Sequence, residues 1–311
     1  MIEVENLTKT YSQLRAIDSI SFCINSGEIV GFLGPNGAGK STTMKILTGS
    51  LAPTEGKALI NGIDVTINSL ESKREIGYLP ENPPLYASMT VRSYLKFVAE
   101  IKGVPYRSIP KRVEETMELV KIRERERSVI GTLSKGLKQR VGLAQAFIHQ
   151  PKILILDEPT VGLDPNQITE IRQVIKNLAE TRTVILSTHI LPEVQMTCQS
   201  VIIINKGKIV ARDTLKDLLH KMDGPKVLRI LLEDHVADFL NSVGHIPGVK
   251  SVEIVSEEDK RAEIQIVCEG DQDIRRSVFH SAVTSRSVIL EFRKGSTNLE
   301  EVFRNLTMKD E

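Results

Sequence analysis

Apolar and polar residues alternate through Ile2-Glu-Val-Glu-Asn-Leu7 and again through Ile20-Ser-Phe-Cys-Ile24, the period of half-buried strands, and Asn25-Ser-Gly27 marks a turn after the second. The pattern then changes to unbroken apolar runs. Glu28-Ile-Val-Gly-Phe-Leu33, Ile153-Leu-Ile-Leu156 and Thr183-Val-Ile-Leu-Ser187 suit strands buried on both faces of a parallel sheet. Shorter strands are expected over 58–60 and 76–79, and a hairpin over 201–204 and 209–211 around Asn205-Lys-Gly207. Helical spacing covers 41–48, stopping at Gly49, then 91–101, 113–122, a segment from the Ser134 region through Ala146, and 167–179. The helices over 91–101 and 113–122, punctuated by Pro105 and Pro110, form a small helical insertion. Helices alternating with strands in this way predict an α/β layer fold with ligands at the C-terminal ends of the strands.

After Lys221-Met-Asp-Gly-Pro225, which reads as a linker, the pattern starts afresh. Strands are expected over 227–232, 252–255, 263–267 and 288–292, with helices over 236–243 and 274–283. That β-α-β-β-α-β order is a ferredoxin-like α+β sandwich. A last helix is expected over 298–306. The division is therefore an N-terminal domain over 1–220 and a C-terminal one over 226–311, which suits a chain of 311 residues.

Charge narrows the partners. The chain has 41 Lys and Arg against 40 Asp and Glu, a formal net charge of +1, so no field of one sign draws it to nucleic acid. Cys23, Cys198 and Cys268 lie far apart without C-x-x-C spacing, which points to reduced thiols rather than a disulfide framework or zinc site. The six histidines show no metal-ligand spacing. No apolar run approaches a membrane span and the N-terminus lacks the character of a signal peptide, so a cytoplasmic protein that reaches a membrane only through a partner is expected.

The chemistry is concentrated in Gly34-Pro35-Asn36-Gly37-Ala38-Gly39-Lys40-Ser41-Thr42, which satisfies G-x-x-x-x-G-K-[ST] between an apolar strand and a helix. The glycines let successive N–H groups curl inward at a helix N-terminus, an anion nest for phosphates. Lys40 would reach the β- and γ-phosphates, Ser41 would ligate Mg²⁺ and Thr42 would lie near the α-phosphate. Asp157 ends a buried strand as an outer partner of Mg²⁺, and Glu158 beside it is placed as general base. His189, ending the neighbouring strand, belongs on the same sheet edge. Ser134 and Gly136 open a helix and form a second anion nest, which implies a nucleotide held by another chain. Tyr11 is either a ring that stacks on adenine or a half-buried strand aromatic.

Together these residues resemble the ATP-binding cassette (ABC) ATPase family over residues 1 to about 220. The family's signature, LSGGQ, corresponds to Leu133-Ser-Lys-Gly-Leu137, its D-loop to Val161-Gly-Leu-Asp164, and its switch histidine to His189. The resemblance implies a head-to-tail dimer with ATP and Mg²⁺ sandwiched between the phosphate loop of one subunit and Ser134, Gly136 and Asp164 of the other. It also implies a transmembrane permease as partner and a peripheral location at the inner face of the cell membrane. Two departures stand out. Lys135 and Leu137 replace a Gly and a Gln of the signature, and Glu81 stands where the family has its Q-loop glutamine, a carboxylate that still has oxygens for Mg²⁺ or its water. Within the family, Tyr78-Leu-Pro-Glu81, Gly162-Leu-Asp-Pro-Asn166 and Leu299-Glu-Glu-Val-Phe303 resemble exporter ATPases of the drug-resistance and gliding-motility type. The alternative, a soluble ABC ATPase acting on ribosomes or DNA, resembles two joined cassettes or long coiled coils, which this chain lacks. A sensor without turnover is opposed by Glu158. The C-terminal domain is expected to be an accessory or regulatory appendage.

Overall fold

The computed structural model describes residues 1–221, 227–258, 261–269, 273–295 and 303. Its contacts separate two compact units that divide between Leu215 and Lys216. The first unit opens with β1 (Ile2–Tyr11), β2 (Leu14–Ile24) and β3 (Ile29–Leu33), then α1 (Lys40–Leu47), β4 (Glu55–Ile60), β5 (Ile63–Asp64), α2 (Ser69–Glu75) and β6 (Ile76–Leu79). The helical insertion follows as α3 (Val91–Ile101) and α4 (Ile109–Leu119). Then come α5 (Lys135–Phe147), β7 (Ile153–Asp157), α6 (Pro165–Ala179), β8 (Thr183–Thr188), α7 (Leu191–Thr197), β9 (Ser200–Asn205) and β10 (Lys208–Thr214). A further helix, α8 (Leu215–Lys221), crosses the division.

Six strands form the central sheet in the order β10-β9-β3-β8-β7-β6. From β9 to β6 the neighbours are parallel, and β10 pairs antiparallel at the edge. Every residue of β3, β7 and β8 is buried, as unbroken apolar runs require of strands covered on both faces. The second sheet, β2-β1-β4-β5, is antiparallel. One core joins both sheets to α1, with the Phe22 and Phe32 rings 5.8 Å apart and Met44, Ile46 and Leu47 buried beside them. This packing fixes α1, and the loop that precedes it, over the ends of the parallel strands.

In the second unit β11 (Val227–Glu233), α9 (Val236–Gly244), β12 (Val249–Glu258), β13 (Arg261–Cys268), α10 (Arg275–Ser285) and β14 (Val288–Gly295) build an antiparallel sheet ordered β12-β13-β11-β14. That order is the ferredoxin-like topology. Alternate residues Leu228, Ile230 and Leu232 bury one face against Phe239, Val243 and Val278 of the two helices.

Several boundaries depart from the sequence pattern. β1 and β2 run on past the expected strands because bulges at Asn6 and Ser19, both at positive φ, break the alternation without ending the pairing. α4 begins at Ile109, so Pro110 lies in its first turn, where a missing N–H costs nothing; it ends at Leu119, and Lys121 beyond it has φ +56°. β5, α2, α7 and α8 are short elements that no periodicity of useful length announces. The expected linker over 221–225, apart from Lys221, and the expected helix over 298–306, apart from Phe303, lie outside the described residues.

Candidate functional site

Parallel register brings the functional strand ends to one level. Asp157 of β7 pairs with Ser187 of β8, and Leu33 of β3 pairs with both Thr188 and Ile203, so the Gly34 loop leaves the sheet beside the end of β8. Glycine is required by contact at two points. A Cβ on Gly34 would collide with the Ile204 carbonyl, and one on Gly39, at φ +110°, would come within 2.6 Å of the Ala16 carbonyl. The loop's carbonyls have partners: Gly34 O and Pro35 O accept from Lys40 Nζ at 2.8 and 3.1 Å, and Ala38 O accepts from Gly207 N at 3.0 Å. What the loop offers a ligand is therefore its donors, at the N-terminus of α1.

A cleft of about 360 Å³ lies against this loop. Asn36, Gly37, Gly39, Lys40, Ser41 and Thr42 line one side, and Glu81, Glu158 and His189 face them, with Ala16 and Val161 at its edge. Ser41 Oγ donates to Asp157 Oδ1 at 3.2 Å, and Ser187 Oγ donates to the same oxygen. Asp157, 2% exposed, thus holds a hydroxyl of the phosphate loop. Lys40 Nζ lies 3.5 Å from Glu158 Oε1, both side chains being buried. His189 Nδ1 donates to the Glu158 carboxylate at 2.9–3.0 Å, which leaves Nε2 as the unengaged ring nitrogen of this pair. Glu158 itself has φ +49°, and its N–H is shared between the backbone and side-chain oxygens of Ser187 at 3.1 and 3.3 Å.

The donor set fits a hard divalent cation, because a serine hydroxyl already meets a buried carboxylate oxygen there and Glu81 adds a second carboxylate in the cleft. Sequence reasoning did not single out Ser187 or the Tyr78 phenol. Burial and then the Asp157 charge hold that phenol's pKa above its usual range, and its oxygen has no hydrogen-bond partner among the described residues. Ser187 was legible only as an interior strand residue; its role follows from register with Asp157.

Tyr11 ends β1 as an exposed side chain with Lys9 Nζ 5.4 Å from its ring centre, and it does not line the cleft. The signature residues also lie outside it. Ser134 caps α5 by accepting from Leu137 N at 3.4 Å, so its hydroxyl is engaged as an acceptor while its proton is still available to donate. Gly136 is pressed against the Gln167 amide, and the Lys135 ammonium lies on Gly162. Asp164 caps α6 through Gln167 N at 2.9 Å. Signature loop and D-loop are thus packed together, with only Val161, at the start of the D-loop, reaching the edge of the phosphate-loop cleft.

Known proteins are similar to this chain in sequence and fold. The family model described as ABC transporter matches residues 17–161. The linearmycin resistance ATP-binding protein LnrL of Bacillus subtilis is 32% identical over 99% of this chain and 98% of its own length. The bacitracin transport ATP-binding protein BcrA of Bacillus licheniformis is 40% identical over 68% of each chain. Among solved structures, an ATP-binding subunit of an ABC transporter is 32% identical with a TM-score of 0.66, covering 71% of this chain and 92% of that one. The dimeric cassette MJ0796, in a post-hydrolysis state bound to ADP and Pi, is 27% identical with a TM-score of 0.64 over 69% of this chain and 99% of that one. Full-length similarity to a curated ATP-binding protein and a phosphate loop facing a buried carboxylate lead to one family: the chain belongs to the ATP-binding subunits of ABC transporters, and it is an ATPase.

Proposed function

We propose that this subunit holds Mg²⁺ and ATP between its own phosphate loop and the signature and D-loop surface of a second ABC ATPase, a second copy of this chain, and that hydrolysis drives a separate transmembrane permease that exports its substrate. The observation that carries the proposal is the buried Glu158 carboxylate, set between Lys40 and His189 in the phosphate-loop cleft. In this reading the loop amides and Lys40 bind the β- and γ-phosphates. Ser41 and Asp157, with Glu81 nearby, hold Mg²⁺, which when bound neutralises phosphate charge. Glu158 takes the proton of the attacking water while His189 keeps the carboxylate oriented. Ser134, Gly136 and Asp164 face the partner's nucleotide. Export, with a peripheral place at the inner membrane face, is supported by relatives named for linearmycin resistance and bacitracin transport. No described helix is long and apolar enough to cross a membrane.

The test separates binding from chemistry. Lys40→Ala should weaken ATP binding and stop turnover. Glu158→Gln should keep ATP affinity while phosphate release falls about 10²- to 10⁴-fold, and ATP should shift that variant to a dimer on sizing chromatography. Full activity of Glu158→Gln removes the base from its role. Purification from native membranes should bring a multi-helix membrane protein with the chain, and recovery with ribosomes or DNA alone would sink the transport reading.

A further inference from the structure

A third buried carboxylate, outside the cleft, lies behind the proposed base and histidine. Glu193, in α7, is 4% exposed. One of its oxygens accepts from Thr160 Oγ1 and the other accepts from Thr188 Oγ1 at 2.9 Å. Thr188 Oγ1 accepts in turn from Ile190 N at 3.0 Å, closing the turn around His189. Thr160 stands two residues after Glu158, in a loop held by Val161 N on Glu158 O at 3.3 Å and Leu163 N on Thr160 O at 3.2 Å.

The pairing of β7 with β8 ends at Asp157 and Ser187. Beyond it, the segment carrying Glu158 and the segment carrying His189 leave the sheet, and the Glu158 N–H on Ser187 is the last backbone tie between them. Glu193 spans that gap from behind, with one oxygen on each segment. A buried carboxylate answered by two hydroxyls is costly to desolvate, and its removal would leave the buried Thr160 and Thr188 hydroxyls without their acceptor.

We infer that Glu193 is a positioning residue for hydrolysis: by tying Thr160 to Thr188 it sets the spacing of Glu158 and His189. The inference rests on Glu158 being the base. Glu193→Leu keeps the volume and removes both hydrogen bonds. In the full chain, turnover of that variant should fall about 10²-fold, the scale of a misplacement near 1 Å, while the affinity for a fluorescent ATP analogue stays within about twofold and the variant still melts cooperatively. Glu193→Gln, whose amide can exchange donor and acceptor roles with either hydroxyl, should restore turnover to within about threefold of the parent. Turnover in Glu193→Leu within about twofold of the parent overturns the inference. So does an equal loss of affinity and turnover, or a Glu193→Gln variant no better than Leu. If Glu193→Leu does not melt cooperatively, Thr160→Val decides: turnover about tenfold lower at unchanged affinity supports the tie, and unchanged turnover overturns it. Glu158→Gln measured alongside keeps the two readings apart. An inactive Glu158→Gln with an active Glu193→Leu removes Glu193 alone, whereas an active Glu158→Gln removes the base on which it was to act.

Discussion

Glu158 sits at φ +49°, a conformation that costs a residue with a Cβ about 1–2 kcal/mol relative to glycine. The neighbours that hold it there, Lys40 and His189, are those the proposed chemistry uses. Glu158→Gly should therefore be more stable than Glu158→Ala by roughly 1 kcal/mol in chemical denaturation, with both variants inactive; equal stability would show the backbone is not strained. His149 gives a second residue-level expectation. Burial first, then the Lys102 charge, push its pKa down to about 4 from 6.5, while Nε2 hydrogen-bonds the Ile76 carbonyl at 3.1 Å and opposes the shift. The folded state thus disfavours the imidazolium. Its contribution is complete above pH 6.5 and is lost as pH falls towards 4, by up to roughly 3 kcal/mol. His149→Gln should flatten that limb of the denaturation midpoint against pH relative to the parent; coincident limbs would refute the shift. At this scale the phosphate loop, Asp157, Glu158 and His189 could be singled out as candidates because short strings at strand ends mark them. Ser187 and Glu193 were not, since one serine in a strand and one glutamate four residues after a histidine acquire meaning only from register and folding-back.

Among the elements, β3, β6, β7 and β8 could be read closely from apolar runs, because such charged and hydroxyl residues as they carry stand at or next to the strand ends. The antiparallel sheet was less legible. Bulges at Asn6 and Ser19 reset its alternation, so the pattern marks only Ile2 to Leu7 of a β1 that is 10 residues long. α7 escaped notice because seven residues give too few turns for a periodicity, although it carries the carboxylate behind the site. Helix and strand come close at Gly77 of β6, where a Cβ would run into the Ala146 carbonyl of α5 and the Leu154 side chain. Backbone cannot yield there as a side-chain end can. Gly77→Ala should cost about 2–3 kcal/mol in denaturant unfolding, whereas Gly136→Ala, facing only the movable Gln167 amide, should cost less. The reverse ranking would contradict the packing described between α5 and β6.

At the scale of the whole chain, each unit has its own core, and the chemistry described lies in the first. The cluster around Ile230, Ile264 and Phe239 draws only on residues beyond Leu215, and the sheet order β12-β13-β11-β14 closes without a strand from elsewhere. We propose that residues 226–311 fold as an independent domain, since a two-layer sandwich with alternating buried positions on its strands has the apolar surface to unfold cooperatively. Expressed alone, this segment should melt in a single transition whose midpoint does not respond to ATP. In the full chain, ATP at about 100 times its dissociation constant stabilises the unit that binds it by roughly 2.7 kcal/mol, so only the transition of the nucleotide-binding unit should move upward. A non-cooperative melt of the isolated segment would place its stability outside itself, and an ATP-dependent midpoint in that segment would move a nucleotide site into the domain that was assigned none.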